Sequence, residues 1–174
     1  MLFNKTLSEL NTYLRQLALT QLITINRQCG SYFENLEERL DKIAQQISAQ
    51  QLNLEELNKK LASHMENEQQ AIDEENSRKE SISSCSGNGA ERYLALSIYR
   101  SYTPLEAFEE KRRQIESSIR AAKTDIQNLN NAHDALVLDK SHSFAQLRTL
   151  NLIIEEKRKD ALVEAQQQNV LQAN

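Results

Sequence analysis

The side chains that most often catalyse reactions or bind metals are few in this chain. It contains three histidines, His64, His133 and His142, and no two of them have the i, i+4 spacing that would place imidazoles side by side on a helix. The two cysteines, Cys29 and Cys85, lie far apart with no paired motif and no nearby histidine. They therefore predict neither a disulfide framework nor a zinc site. We predict no metal and no cofactor.

Sequence motifs of known reaction classes do not appear either. The chain has no glycine-rich phosphate loop, no Gly-x-Ser-x-Gly and no His-Glu-x-x-His. Adjacent acids such as Glu37–Glu38 and Glu74–Glu75 are common on solvated helix faces and indicate no acid–base chemistry without a cleft around them. We therefore predict that the protein is not an enzyme and takes no small-molecule substrate.

The composition favours long helices over a compact globule. Only 5% of the residues are aromatic, and there are three glycines and one proline, so few residues turn the backbone or fill a large core. A net charge of -4 argues against general nucleic-acid binding, which needs a concentrated basic field. The basic clusters at 111–113 and 157–159 are each flanked by acids, so pairing within the helix is the simplest explanation for them.

Two apolar seams organise the chain. The second seam alternates steps of four and three over more than fifty residues, which is typical of a supercoiled helix facing one partner. It comprises Phe108, Arg112, Ile115, Ile119, Ala122, Ile126, Leu129, His133, Leu136, Lys140, Ser143, Leu147, Leu150, Ile154, Lys157 and Ala161. Its polar members are expected to fix register or to form weak layers. His133 faces a candidate carboxylate partner across the two helices.

The first seam predicts a helix from about residue 6 to about residue 79. It comprises Leu7, Leu10, Leu14, Leu17, Leu22, Ile25, Cys29, Tyr32, Leu36, Leu40, Ile43, Ile47, Gln50, Leu54, Leu57 and Leu61. The steps from Leu17 to Leu22 and from Leu36 to Leu40 break the alternation and should relax the supercoil locally. Gly30 costs about 1 kcal/mol relative to alanine but does not end a helix alone.

One segment has the composition of a chain reversal. Residues 81–89 concentrate serine, asparagine and two of the three glycines. A short helical or irregular piece follows, and Pro104 is well suited to the first turn of a second long helix. We therefore predict an all-α fold, an antiparallel two-helix coiled-coil hairpin, with a first arm over about 6–79, a turn and short segment over about 80–103, and a second arm over about 104–170. A parallel dimer and a small bundle with one bent arm are the alternatives.

The segment after the turn is the predicted partner-binding surface. Tyrosine contributes a large contact area at protein interfaces with little loss of entropy, and the opposing stretch 66–75 is too acidic to cover an aromatic cluster fully. Packing against the first arm is the alternative explanation. The predicted partner-binding residues are Tyr93, Leu96, Tyr99, Tyr102, Arg112 and Arg113.

The chain resembles the FliJ/YscO group of bacterial type III secretion proteins, and among them the InvI-like members. The resemblance lies in Ile98-Tyr99-Arg100, in the run Glu110-Lys111-Arg112-Arg113-Gln114-Ile115 and in a charged, glutamine-rich tail. It implies a central stalk protein that docks with the hexameric secretion ATPase, contacts the export gate and hands over substrate chaperones. This chain departs from the group in its mild acidity and in its longer, serine-rich turn.

The sequence leaves two function classes open. The first is a stalk or adaptor that is monomeric alone, cytoplasmic and peripheral to a membrane-embedded secretion machine. The second is a helical chaperone, scaffold or secreted effector that self-associates through incompletely covered apolar residues of the stretch Leu14 to Ile25. The start of the chain lacks the pattern of a signal peptide, and no run of eighteen apolar residues occurs, so we expect a soluble protein without stable membrane insertion.

Overall fold

The computed structural model describes residues 3–84, 89, 91, 93, 94, 96, 97 and 103–172, and this part of the chain is all-helical. The predicted all-α class is therefore confirmed. Within these described residues, four helices have defined bounds. They are α1 (Leu7–Gln16), α2 (Leu19–Met65), α3 (Glu68–Ser83) and α4 (Pro104–Gln172).

Helix α1 begins with a complete capping box. The Glu9 amide donates to the Thr6 hydroxyl, and the Thr6 amide donates to the Glu9 carboxylate over 2.9 Å. These two bonds give hydrogen-bond acceptors to two backbone amides that have no partner within the helix. Helix α4 begins at Pro104, as predicted, and the hydroxyl of the preceding Thr103 donates to the Glu106 carboxylate.

The first arm differs from the single helix expected over about 6–79, because it is interrupted twice. At the first break Leu17 is extended, with φ -81° and ψ 149°, and the Ala18 amide donates to the Gln21 side chain. The irregular step from Leu17 to Leu22 in the first seam marks this position. At the second break Glu66 and Asn67 separate α2 from α3. The arm then remains helical to Ser83, so residues 81–83 of the predicted loop 81–89 belong to α3 instead, and residue 89 is also helical. Residues 85–88 of that loop lie outside the described residues.

The contacts within the chain group its residues into two compact units. One comprises Met1–Gln46 and Leu129–Asn174, and the other comprises Ile47–Asn128. We call them the terminal unit and the middle unit and describe each by itself.

The terminal unit packs three helical segments around one core. Leucines of α1, apolar residues of early α2 and a cluster of late α4 bury one another almost completely. The core residues are Leu10, Leu14, Leu22, Cys29, Leu150, Ile153 and Ile154. Burial raises the pKa of the Cys29 thiol, which favours its neutral form.

Polar contacts in the terminal unit give the direction of each segment along α4. For α1, the Phe3 amide donates to Gln146, and Arg15 forms an ion pair with Glu156 at 2.9 Å, so residue numbers rise together. For α2, Tyr32 donates to Asp139 over 2.9 Å, whereas the core contacts place Leu22 with Leu150 and Ile154. Helix α1 therefore turns back on α2, which is the bent-arm arrangement within this unit.

The middle unit is held by apolar contacts and one stacked pair. The rings of His64 and Phe108 lie 4.1 Å apart between centroids at 18°, and His64 Nε2 lies 2.9 Å from the Phe108 carbonyl oxygen. Ala71, Ile119 and Ala122 are also buried. Glu75 is 5% exposed and lies 3.6 Å from Lys79.

Both seams are correctly predicted in terms of burial. Every member of the first seam is buried or half-buried except Leu7, and every member of the second is buried or half-buried except Ala161. The depth of burial differs, because Leu22 and Leu36 are nearly inaccessible whereas Leu54, Leu57 and Leu61 are only half-buried. Three segments surround Leu22 in the core of the terminal unit, and this explains its deeper burial.

Candidate protein-binding surfaces

Arg112 is placed in a structural role. Its side chain is 33% exposed, and its guanidinium lies 3.9 Å from Glu68 on α3 and 3.7 Å from Glu116 on its own helix. The second-seam position therefore holds a cation between two carboxylates. A partner would have to displace these acids before it could use Arg112.

Arg113 is more accessible, but its charge is also paired. Its side chain is 65% exposed and lies 3.0 Å from Glu109 and 3.9 Å from Glu110. Pairing within the helix was the simplest explanation for this basic cluster, and the contacts confirm it for Arg113, whereas Arg112 also pairs with Glu68 on α3. The second basic cluster behaves differently, because Lys157 donates to the Leu17 carbonyl oxygen across the terminal unit.

The predicted aromatic segment exposes apolar side chains at its described positions. Tyr93 is 77% exposed, Leu94 is 64% exposed and Leu96 is 46% exposed, and all three positions are helical. Tyr93 and Leu96 are three residues apart and so lie on one helix face. Tyr99 and Tyr102 lie outside the described residues. We call Tyr93, Leu94 and Leu96 the tyrosine patch.

The chemistry of this patch suits protein recognition. Exposed large apolar side chains gain free energy when a partner removes them from water, and a tyrosine hydroxyl can keep a hydrogen bond at the rim. The described contacts of Arg112 and Arg113 are with glutamates of α3 and α4. In the part of the chain that the structure describes, these arginines therefore make no ion pair with the tyrosine patch.

A second exposed apolar surface lies on α4 within the terminal unit, and it was not predicted from the sequence. Its residues are between 46% and 64% exposed. They are Val137, Leu138, Phe144, Leu152, Leu162 and Val163, and we call them the outer stripe. Phe144 stacks on Phe33 with centroids 4.5 Å apart, which covers one side of its ring. The available signal was the recurrence of apolar residues at positions that the second seam does not use.

Two open grooves lie on the described surface, and the one in the middle unit is lined by Gln70, Asp73, Glu74, Ser77, Arg78 and Pro104. The other, of about 350 Å³, lies in the terminal unit between α1 and α2. Its lining residues are Tyr13, Leu17, Thr20, Gln21, Thr24 and Ile25. Among the residues that the structure describes, no group of three or more His, Cys, Asp or Glu side chains is arranged to hold a metal ion.

His133 has a nearby carboxylate, but not the one expected. Its Nδ1 lies 3.5 Å from Asp134, the next residue on α4, and not from an acid across the two helices. His133 is 37% exposed and Asp134 is 83% exposed. It therefore presents no enclosed acid–base site.

Within the described residues, none of the helices is long and apolar enough to cross a membrane.

Comparisons with known proteins identify no relative of this chain. No protein-family model matches the sequence, and neither the curated proteins nor the solved structures include a significant match.

Proposed function

We propose that this protein is a non-enzymatic helical stalk or adaptor that binds other proteins. In this proposal the two long helical arms form an antiparallel coiled-coil hairpin. Contacts within each unit support that arrangement. In the terminal unit α2 pairs with α4 through Tyr32 and Asp139, and in the middle unit the C-terminal end of α2 pairs with the start of α4 through His64 and Phe108.

The exposure of Tyr93 carries the binding proposal. A side chain that is 77% exposed, beside two leucines that are also exposed, costs free energy in water and would gain it on binding. The neutralised arginines Arg112 and Arg113 leave this interaction mainly apolar. A partner with a complementary apolar groove or helix face is therefore expected.

We further propose that the partner belongs to a bacterial type III secretion apparatus. The resemblance to the FliJ/YscO group in 98–100 and 110–115, together with the all-helical structure, supports this assignment. In that role the chain would engage the hexameric secretion ATPase, an export-gate component or substrate chaperones. It would act in the cytoplasm next to a membrane-embedded machine.

A pull-down from the native cell tests both the proposed binding surface and the proposed identity of the partner. The full chain is compared with Tyr93→Ser/Leu96→Ser, and Leu52→Ser serves as the matched control because Leu52 is 63% exposed and also lies in the middle unit. We expect the control to retain the partner and the patch variant to lose it. Circular dichroism checks that all three proteins keep their helix content.

The outcomes separate the proposals. Recovery of a hexameric ATPase by the wild type and by the control would support the secretion role. Recovery of an unrelated protein through the patch would support an adaptor but reject that role. Equal recovery by the wild type and the patch variant would reject the tyrosine patch as the binding surface.

Self-association remains the second candidate function, but not through the residues that were predicted from the sequence. Leu14 and Leu22 are fully buried in the core of the terminal unit, and Leu17 and Ile25 are half-buried. The stretch Leu14 to Ile25 is therefore largely covered within one chain. The observation that favours self-association is instead the outer stripe.

A further inference from the structure

The outer stripe lies on the face of α4 opposite its buried face. At 100° per residue its six members fall within an arc of about 120°, and the residues buried in the terminal unit lie on the other side of the helix. The stripe runs from Val137 to Val163, which is about 40 Å of helix. This length corresponds to nearly four heptads.

Three exposed charges lie within the arc of the same stripe, and they are Arg148, Glu155 and Lys159. Arg148 and Glu155 are both exposed, seven residues apart and therefore on one helix face. None of the three makes an ion pair or a side-chain hydrogen bond with any other described residue. Leu152 lies between Arg148 and Glu155 on the stripe. The surface thus combines apolar ends and a central leucine with two unpaired positive charges and one unpaired negative charge.

This arrangement is complementary to itself when one copy is reversed. In an antiparallel pair of α4 helices centred between residues 151 and 152, Arg148 of each copy lies opposite Glu155 of the other. Leu152 then contacts the centre of the second stripe. Leu162 reaches the turn that contains Leu138 and Ser141, and Lys159 lies opposite Phe144, where a cation can approach the face of an aromatic ring. A two-fold axis produces each of these contacts twice.

We propose that the outer stripe binds a second copy of this chain, forming an antiparallel dimer through α4 of the terminal unit. The expectation of a monomer came from the seams, which concern the opposite face of the helix. The proposed dimer leaves the tyrosine patch outside its interface. It is therefore independent of the partner proposed above.

A parallel pair does not satisfy the same surface. In a parallel arrangement Arg148 would face Arg148 and Glu155 would face Glu155, and like charges directly opposite each other destabilise an interface. The antiparallel arrangement converts both repulsions into attractions. Charge complementarity therefore selects the reversed copy over a parallel one.

Sedimentation equilibrium of the full chain tests the dimer directly. At about 100 µM protein, a Kd of about 10 µM would leave most chains paired. We expect a mass approaching twice the 20.0 kDa of one chain. The variant Leu152→Glu should remain helical and sediment as a monomer. A wild type that stays monomeric at this concentration would overturn the proposal.

Charge reversal tests the orientation. Arg148→Glu alone and Glu155→Arg alone each place like charges opposite each other twice, so each should weaken self-association by about tenfold or more. The double variant Arg148→Glu/Glu155→Arg should recover the wild-type Kd. An equimolar mixture of the two single variants should form a heterodimer. The matched control Glu164→Lys reverses an exposed charge on the other side of α4 and should leave the Kd unchanged.

A parallel dimer, or a dimer formed through another surface, would give different results. In a parallel dimer each of these positions faces its own copy, so single and double reversals would leave the Kd near that of the wild type. Equal dimerisation of the wild type and Leu152→Glu would show that another surface mediates the association. Either result would overturn the proposed interface.

Discussion

The ammonium group of Lys157 on α4 donates a 2.7 Å hydrogen bond to the carbonyl oxygen of Leu17, the C-cap residue of α1. A helix end leaves several carbonyl groups without partners, and a cation near them also interacts favourably with the helix dipole. Arg15 and Glu156 form an ion pair beside this contact, but both are more than half exposed. The half-buried Lys157 is therefore the main polar anchor of the chain reversal between α1 and α2.

We predict that Lys157→Met lowers the free energy of unfolding by about 1–2 kcal/mol, since it removes a charged donor from a partly buried helix end while keeping the apolar stem. Urea unfolding followed by circular dichroism measures the change. Lys123→Met is the matched control, because Lys123 is exposed on the same helix. A loss no larger than that of the control would contradict the anchoring role.

Gln146 holds the segment before α1. It is 3% exposed, its Oε1 accepts from the Phe3 amide at 2.9 Å, and its Nε2 donates to the carbonyl oxygens of Phe3 and Lys5. One side chain thus satisfies three backbone groups. The polar residue in this buried position of α4 is explained by those bonds.

We predict that Gln146→Leu releases residues 3–5 from the terminal unit. The substitution removes three hydrogen bonds and should cost about 1–3 kcal/mol locally, because it leaves part-buried backbone groups without partners. Hydrogen exchange of the Phe3 amide reports the change, and we expect its protection to fall. The exposed Gln127→Leu is the control. Unchanged protection at Phe3 would show that other contacts hold the segment.

Periodicity was sufficient to predict which residues of the long helices are buried. Alternating steps of three and four identified the buried faces of α2 and α4, including the polar member Ser143, which is 0% exposed. Proline chemistry also located the start of α4 at Pro104. These features depend on local spacing and backbone geometry, which a sequence shows directly.

The reversal after α1 could not be predicted in the same way. The step from Leu17 to Leu22 marked an irregularity, but a relaxed supercoil and a turn produce the same spacing. What decides between them is a set of distant contacts, such as Lys157 with Leu17 and Gln146 with Phe3. The outer stripe was not predicted for a related reason. The second seam already supplied one apolar face for packing, so the other apolar residues of α4 were not considered as a second surface.

The two units should differ in their sensitivity to cavities. Leu22 is fully buried among three helical segments, whereas Leu57 is only half-buried. We predict that Leu22→Ala lowers the free energy of unfolding by about 3 kcal/mol and that Leu57→Ala costs about half as much, since less apolar area and a smaller cavity are involved. Urea unfolding compares them. Equal losses would contradict the deeper core of the terminal unit.

The capping box at Thr6 and Glu9 should make α1 sensitive to acid. Hydrogen bonds from the Thr6 amide and hydroxyl lower the pKa of the Glu9 carboxyl below its ordinary value. A carboxyl whose pKa is lower in the folded state stabilises the fold at pH values above its unfolded pKa, and this contribution disappears as the pH falls through the folded pKa.

We therefore predict that α1 loses hydrogen-exchange protection between about pH 5 and about pH 3, beyond any general loss in the chain. Glu9→Gln should weaken this acid dependence, because an amide does not titrate and still offers an oxygen to the Thr6 amide. Glu34→Gln, at an exposed position on α2, controls for the loss of one negative charge. If the wild type and Glu9→Gln lose protection of α1 over the same pH range, the Glu9 carboxylate does not control the start of this helix.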